Sequence, residues 1–139
     1  VKVIAGIHHG RQDTAGPVAG ISTQPLFFDI RLEKDAIFEH SLPSAHNAFA
    51  YIYEGRAELG TGTDAAELPA QTVGVLSPGD SLRIKALADH TQLILLAGKA
   101  IGEPIEQRGP FVMNTRAEIE QAIADYQNGT LATVASKGA

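Results

Sequence analysis

The chain has 139 residues, 44% of them apolar and 19% charged, an ordinary balance for one globular domain with a core of its own. It contains no cysteine, which excludes disulfides, thiolate metal sites and cysteine nucleophiles. A formal charge of −5 argues against nucleic acid as a direct partner, and no apolar run reaches the roughly 20 residues that span a membrane. The chain starts at Val1 without a methionine, as a fragment or processed product would, and no secretory-signal pattern is expected ahead of the first strand.

Taken in order, Val1-Lys2-Val3-Ile4-Ala5 predicts a short β-branched strand stopped by Gly6. Residues 6–25, rich in glycine and holding His8-His9, read as a long loop, where solvated histidines are expected. Leu26 to Leu32 alternates Phe28, Ile30 and Leu32 against Asp29 and Arg31, the signature of a half-buried strand. Ala36 to His40 follows, and then the central stretch Leu42 to Gly60. In that stretch Ala48 to Tyr53 carries Phe49, Tyr51 and Tyr53 on one side of the pleat and Ala50 and Ile52 on the other. A strand apolar on both faces belongs in the middle of a sandwich or barrel. Glu54-Gly55 predicts a tight reversal into a returning strand from Arg56, with Glu54 itself exposed and no acid–base role for it beside Tyr51 and Tyr53. Thr61 to Asp64 reads as a loop. Thr72 to Leu76, Ser81 to Lys85 (Leu82 and Ile84 inward) and Gln92 to Ala97 complete seven or eight short strands between Gly/Pro turns. This spacing predicts an all-β sandwich or barrel.

The tail changes character. Gly109 to Asn114 reads as an extended connector, and Thr115-Arg116-Ala117-Glu118 as a capping box opening a helix over about 116–127. Ile119, Ala122, Ile123 and Tyr126 form one apolar stripe, and Asn128-Gly129 ends the helix. Beyond Thr130 the sequence is small and polar and is expected to fray.

These segments carry a family resemblance. GPFVMNTRAEIEQAIADYQNGTL, the preceding LLAGKAIGEPIEQ, and upstream VKVIAG, LFFDIRL, PSAHNAFAYIYEG and LSPGDSLRI resemble the second half of the pirin family over nearly the whole chain. The resemblance implies one cupin (jelly-roll-like) β-barrel over 1–139 with a single C-terminal helix. Pirins are cytoplasmic or nuclear proteins of two cupin barrels, the first holding iron through three histidines and a glutamate. Some oxidise flavonols such as quercetin (quercetin 2,3-dioxygenases), and others act as transcription cofactors. The metal-binding N-terminal cupin has no counterpart in this sequence.

A cupin metal site needs a His-x-His pair, a glutamate shortly after, and a third histidine on a later strand. Here His40 and His46 are six residues apart with Pro43 between them, and Asn47 or Ala48 stands where the carboxylate is needed. His90 keeps the place of the third histidine, counted from Gly79-Asp80, although Lys85 and Leu87 replace the usual proline and glycine. His46 and His90 are therefore vestigial candidates, and no metal, cofactor or catalytic residue is assigned to the chain; iron is expected in the missing half. Glu103, Glu106 and Arg108 are expected at the contact between halves. Pro110, Phe111, Val112 and Met113 form an apolar run expected to lie on a docking surface. No nucleophile elbow, phosphate loop or carboxylate pair is present.

Three functions remain. The chain is read first as the non-catalytic half of a pirin-like oxygenase, partnered by the N-terminal cupin half or by self-association. The alternatives are a protein-interaction or transcription-cofactor module, and a stand-alone cupin that binds a small molecule.

Overall fold

The computed structural model describes residues 1–132. The single domain expected over 1–139 comprises two compact units, Val1–Ala100 and a second from Ile101 onward. The tail expected to fray, residues 133–139, lies outside the described residues.

The first unit is a β-structure of two main antiparallel sheets and a two-stranded hairpin. Its strands are β1 (Lys2–Ala5), β2 (Ile7–His9), β3 (Asp13–Ala15), β4 (Leu26–Leu32), β5 (Ile37–Ser41), β6 (His46–Glu54) and β7 (Arg56–Leu59). A 3-10 turn over Gly62–Asp64 leads into β8 (Ala66–Pro69), β9 (Thr72–Val75), β10 (Ser81–Ala86) and β11 (Thr91–Lys99). One sheet has the order β1-β4-β11-β6-β9 and the other β5-β10-β7-β8. Between them the inward-facing side chains close into one core. Phe28, Ile30, Ile52, Ile84, Leu93 and Leu95 are fully buried, around Leu59, Leu82 and the alanines 48, 50 and 57. Alternation dictates this arrangement. On β10 Leu82, Ile84 and Ala86 face in, and on β11 Thr91, Leu93, Leu95 and Ala97 do.

The central strand lies between β11 and β9, as an apolar strand should, with Ala48, Ala50 and Ile52 inward. Its other face is less covered than the sequence suggests: Phe49 is 37% exposed, beside Val75 at 83% and Val73 at 53% on the edge strand β9.

Three expectations need correction. Glu54-Gly55 is no hairpin reversal, because β6 and β7 never pair and belong to different sheets. It is a corner, at which Gly55 (φ 77) passes so close to Thr91 that a Cβ would sit 2.6 Å from its Oγ1. The buried Thr91 hydroxyl in turn donates to the carbonyls of Ala88 (2.8 Å) and Arg56 (3.1 Å), tying the corner to β11. Second, residues 6–25 are not all loop. β2 and β3 form a hairpin, and Val18 bridges Ala5 in parallel, with Gly16 and Val18 N–H groups donating to the Gly6 and Ile4 carbonyls. Third, β8 escaped the sequence reading, since four residues ending in proline carry almost no alternation.

In the second unit the expected connector is a hairpin, β12 (Glu106–Arg108) with β13 (Phe111–Met113). Gly109, at φ 59, opens its two-residue loop as a II′-type turn requires, so a Gly-X pair between alternating residues was the available signal. The helix α1 spans Arg116–Asn128. The Thr115 hydroxyl accepts from the Glu118 N–H while Glu118 reaches back to the Thr115 N–H (2.8 Å), and Gly129 caps the end in the left-handed region. Ile119 and Ala122 are buried, but Tyr126 is 68% exposed and only edges onto Phe111, ring centroids 6.1 Å apart.

Candidate functional site

Histidines gather at one mouth of the barrel. The alternation of β5 turns Phe38 and His40 inward, and β2 turns His8 inward and His9 out. Packing of the β2–β3 hairpin against β5 then brings residues 32 positions apart in sequence together. The His8 ring stacks on Phe38 (5.4 Å) and lies 5.5 Å from His40, while His40 meets the edge of Phe28 at 5.0 Å. His9 stacks over His40 at 6.3 Å and its Nδ1 lies 3.0 Å from Asp13. Burial lowers the pKa of both His8 and His40 below the ordinary 6.5, reinforced at His8 by the N-terminal ammonium and His9 and at His40 by His8 and His9. Both rings are therefore neutral at pH 7. The expectation of solvated loop histidines fails for His8, because the β2–β3 hairpin folds it against the core aromatics.

Beside these rings opens a cavity of about 730 Å³. Ile7, Val18, Ile21, Leu26 and Pro43 supply apolar walls, and His9, Ser22, Gln24, His40, Ser41 and His46 supply the polar groups. His46, the first residue of β6, is half-buried, yet both ring nitrogens are buried without a hydrogen-bond partner. Leaving such a group unsatisfied costs about 1–3 kcal/mol. No hydrogen bond among the described residues links Ser41 to a histidine. The arrangement suits binding and hydrogen bonding by neutral imidazole.

The two vestigial ligand candidates do not meet. His46 pairs with Lys99 at one end of β11, whereas His90 precedes Thr91 at the other, about 26 Å away along the strand. His90 sits in a turn at φ 53, exposed, 3.6 Å from Glu33. Ile30, Ile52, Ile84, Leu93 and Leu95 fill the interior between the sheets and are fully buried. Among the described residues no three His, Cys, Asp or Glu side chains stand close enough to hold an ion. The described residues do not fit an iron centre.

The remaining candidates have structural surroundings. The Tyr53 hydroxyl donates to Asp29 at 2.7 Å, and burial together with this bond raises its pKa above 10.0. Glu54 is exposed and accepts from Gln92, as a surface residue does. Glu103 accepts from Asn114 Nδ2 at 2.6 Å, while Glu106 and Arg108 lie exposed on β12. Of the apolar run, Phe111 and Met113 are half-buried, whereas Pro110 and Val112 are exposed. No helix among the described residues is long and apolar enough to cross a membrane.

Two antiparallel sheets closed around an apolar core, followed by a single helix, define a cupin-type barrel. Residues 27–132 match the pirin C-terminal cupin domain, and the chain belongs to that family. It is 38% identical over 129 residues to a pirin-like protein of Caulobacter vibrioides, covering 93% of this chain and 44% of that one. Pirin-like protein 2 of Arabidopsis thaliana is 40% identical over 134 residues, covering 93% and 40%. Among solved structures, a quercetin 2,3-dioxygenase from Acinetobacter baumannii superposes with a TM-score of 0.74 at 33% identity, covering 94% of this chain and 43% of that one. The chain thus spans less than half the length of these relatives.

Proposed function

We propose that this chain is the non-catalytic C-terminal cupin half of a pirin-like protein, packing against the other half of the parent polypeptide in the cytoplasm. The observation that carries this reading is the filled interior. Ile30, Ile52, Ile84, Leu93 and Leu95 occupy the barrel's core as fully buried aliphatic side chains, and among the described residues no three His, Cys, Asp or Glu side chains gather as a metal site would need, which supports this reading. On this reading any flavonol oxidation by the parent, and the iron it needs, belong to the half that the chain does not span. Exposed Val73 and Val75 on β9, and Val112 on β13, are apolar side chains that a docked partner would cover; they suit an interaction module equally.

The test is elemental analysis of the purified chain together with a quercetin-consumption assay. The expected result is iron, nickel and zinc all far below stoichiometric, with no quercetin consumed. One metal ion per chain, lost in His40→Ala or His46→Ala, or quercetin turnover by the chain alone, overturns the reading.

A further inference from the structure

The cavity at the barrel mouth has the features of a built pocket. Four separate pieces of chain wall it, and main-chain hydrogen bonds hold the most irregular of them in place. Gly16 N–H donates to Gly6 O at 2.9 Å, Val18 N–H to Ile4 O at 3.2 Å, and Lys99 N–H to Thr23 O at 2.8 Å. Gly16 approaches the Ile4 main chain so closely that a Cβ would stand 2.6 Å from its carbonyl, so this wall is packed down on β1. A volume of about 730 Å³ lies within the range of small-molecule sites.

The lining also restricts the ligand's chemistry. It contains no lysine, arginine, aspartate or glutamate. A charged ligand would be desolvated there without a counter-charge, which is costly. Apolar walls favour an apolar body, and the side chains of the lining able to bond it are the uncharged Ser22, Gln24 and Ser41 and the imidazoles of His9, His40 and His46. His46 stands in the partition between this cavity and a second of about 320 Å³, with both nitrogens unpartnered.

We propose that this cavity binds an uncharged, largely apolar small molecule whose hydroxyl or carbonyl group bonds to His46 and His40. A turn of the His46 ring about its side-chain torsion presents a nitrogen to the ligand oxygen and satisfies an atom that is otherwise orphaned. His40, held neutral by its aromatic neighbours, donates or accepts as the ligand group demands. No bond is made or broken, so the site operates whether or not the parent's other half carries iron. Its failure would leave the non-catalytic reading untouched.

Three probes share one ring system: 2-naphthol, naphthalene and 2-naphthoate. Each is titrated against the 139-residue chain at pH 7.5, followed by fluorescence and by NMR of the histidine ring signals. Saturable binding of 2-naphthol is expected, with His40 and His46 signals moving, and both naphthalene and 2-naphthoate binding at least about tenfold more weakly. His46→Phe should weaken 2-naphthol about tenfold and leave naphthalene unchanged, and Val18→Trp, filling the cavity, should abolish both. If either variant fails to fold, the ranking of the three probes on the unaltered chain still decides. Absence of saturable 2-naphthol binding overturns the proposal. So does 2-naphthoate or naphthalene binding as tightly as 2-naphthol, or shifts that avoid both histidines.

Discussion

Gly55→Ala concentrates its effect at the corner where the chain leaves one sheet for the other. Gly55 has φ 77, in the left-handed region, where a side chain costs roughly 1–2 kcal/mol. The new methyl would also lie 2.6 Å from Thr91 Oγ1 and 2.8 Å from Thr91 Cα. The second contact is with the main chain of β11, which cannot swing aside. Relief requires the corner to move off Thr91, whose hydroxyl then loses its contacts with Arg56, together contributing about 1 kcal/mol net, while its shorter bond to Ala88 persists. Together these give about 2–3 kcal/mol, a large share of the 5–15 kcal/mol by which a domain of this size is stable. Gly20 supplies the control, because at φ 75 it has the same backbone conformation with no atom within 4 Å of a built Cβ. Gly20→Ala should therefore cost only the backbone strain, about 1–2 kcal/mol. Urea denaturation followed by circular dichroism measures both. Equal losses for the two variants, within about 0.5 kcal/mol, would refute the argument that the approach to Thr91 matters.

Two further outcomes follow from the same contacts. Because burial holds the pKa of His8 and His40 below the ordinary 6.5, the unfolded chain binds more protons than the folded one as pH falls through that value. Stability is thus complete above 6.5 and declines from there towards the lower folded values; the urea midpoint should drop between pH 7.5 and 5.5, and His40→Phe should flatten the drop. A midpoint that stays level or rises would count against the buried neutral pair. At the helix, Thr115→Ala removes the hydroxyl that accepts from Glu118 and half of the capping box. It should cost about 1 kcal/mol locally, seen as roughly fivefold faster amide exchange over the first turn, and unchanged exchange would show the cap to be idle.

The sequence by itself determined what depends on neighbours along the chain. Thr115 and Glu118 are three residues apart, so the capping box, the helix and its end at Gly129 were all legible, and the observed Arg116–Asn128 matches the expectation. Strict alternation in Leu26–Leu32 and Ser81–Ala86 likewise revealed which side chains face the core, because a strand has period two whatever it pairs with. The six-residue spacing of His40 and His46, which breaks a His-x-His pair, was equally open to inspection. Only the tertiary structure decided where distant residues meet. The three-residue strands β2, β3, β12 and β13 are too short to show a period, and they exist because each has a partner to bond. Gly55 looks the same in sequence whether it turns a hairpin or a corner, and sheet membership alone tells them apart. His46 and His90 were compared by their spacing to turns, yet the pairing of β6 with β11 sends them to opposite ends of the barrel. The same closure carries His8, far away in sequence, onto Phe38 and His40 and opens a cavity beside them, since burying two sheets' apolar faces against each other fixes which loops share a mouth.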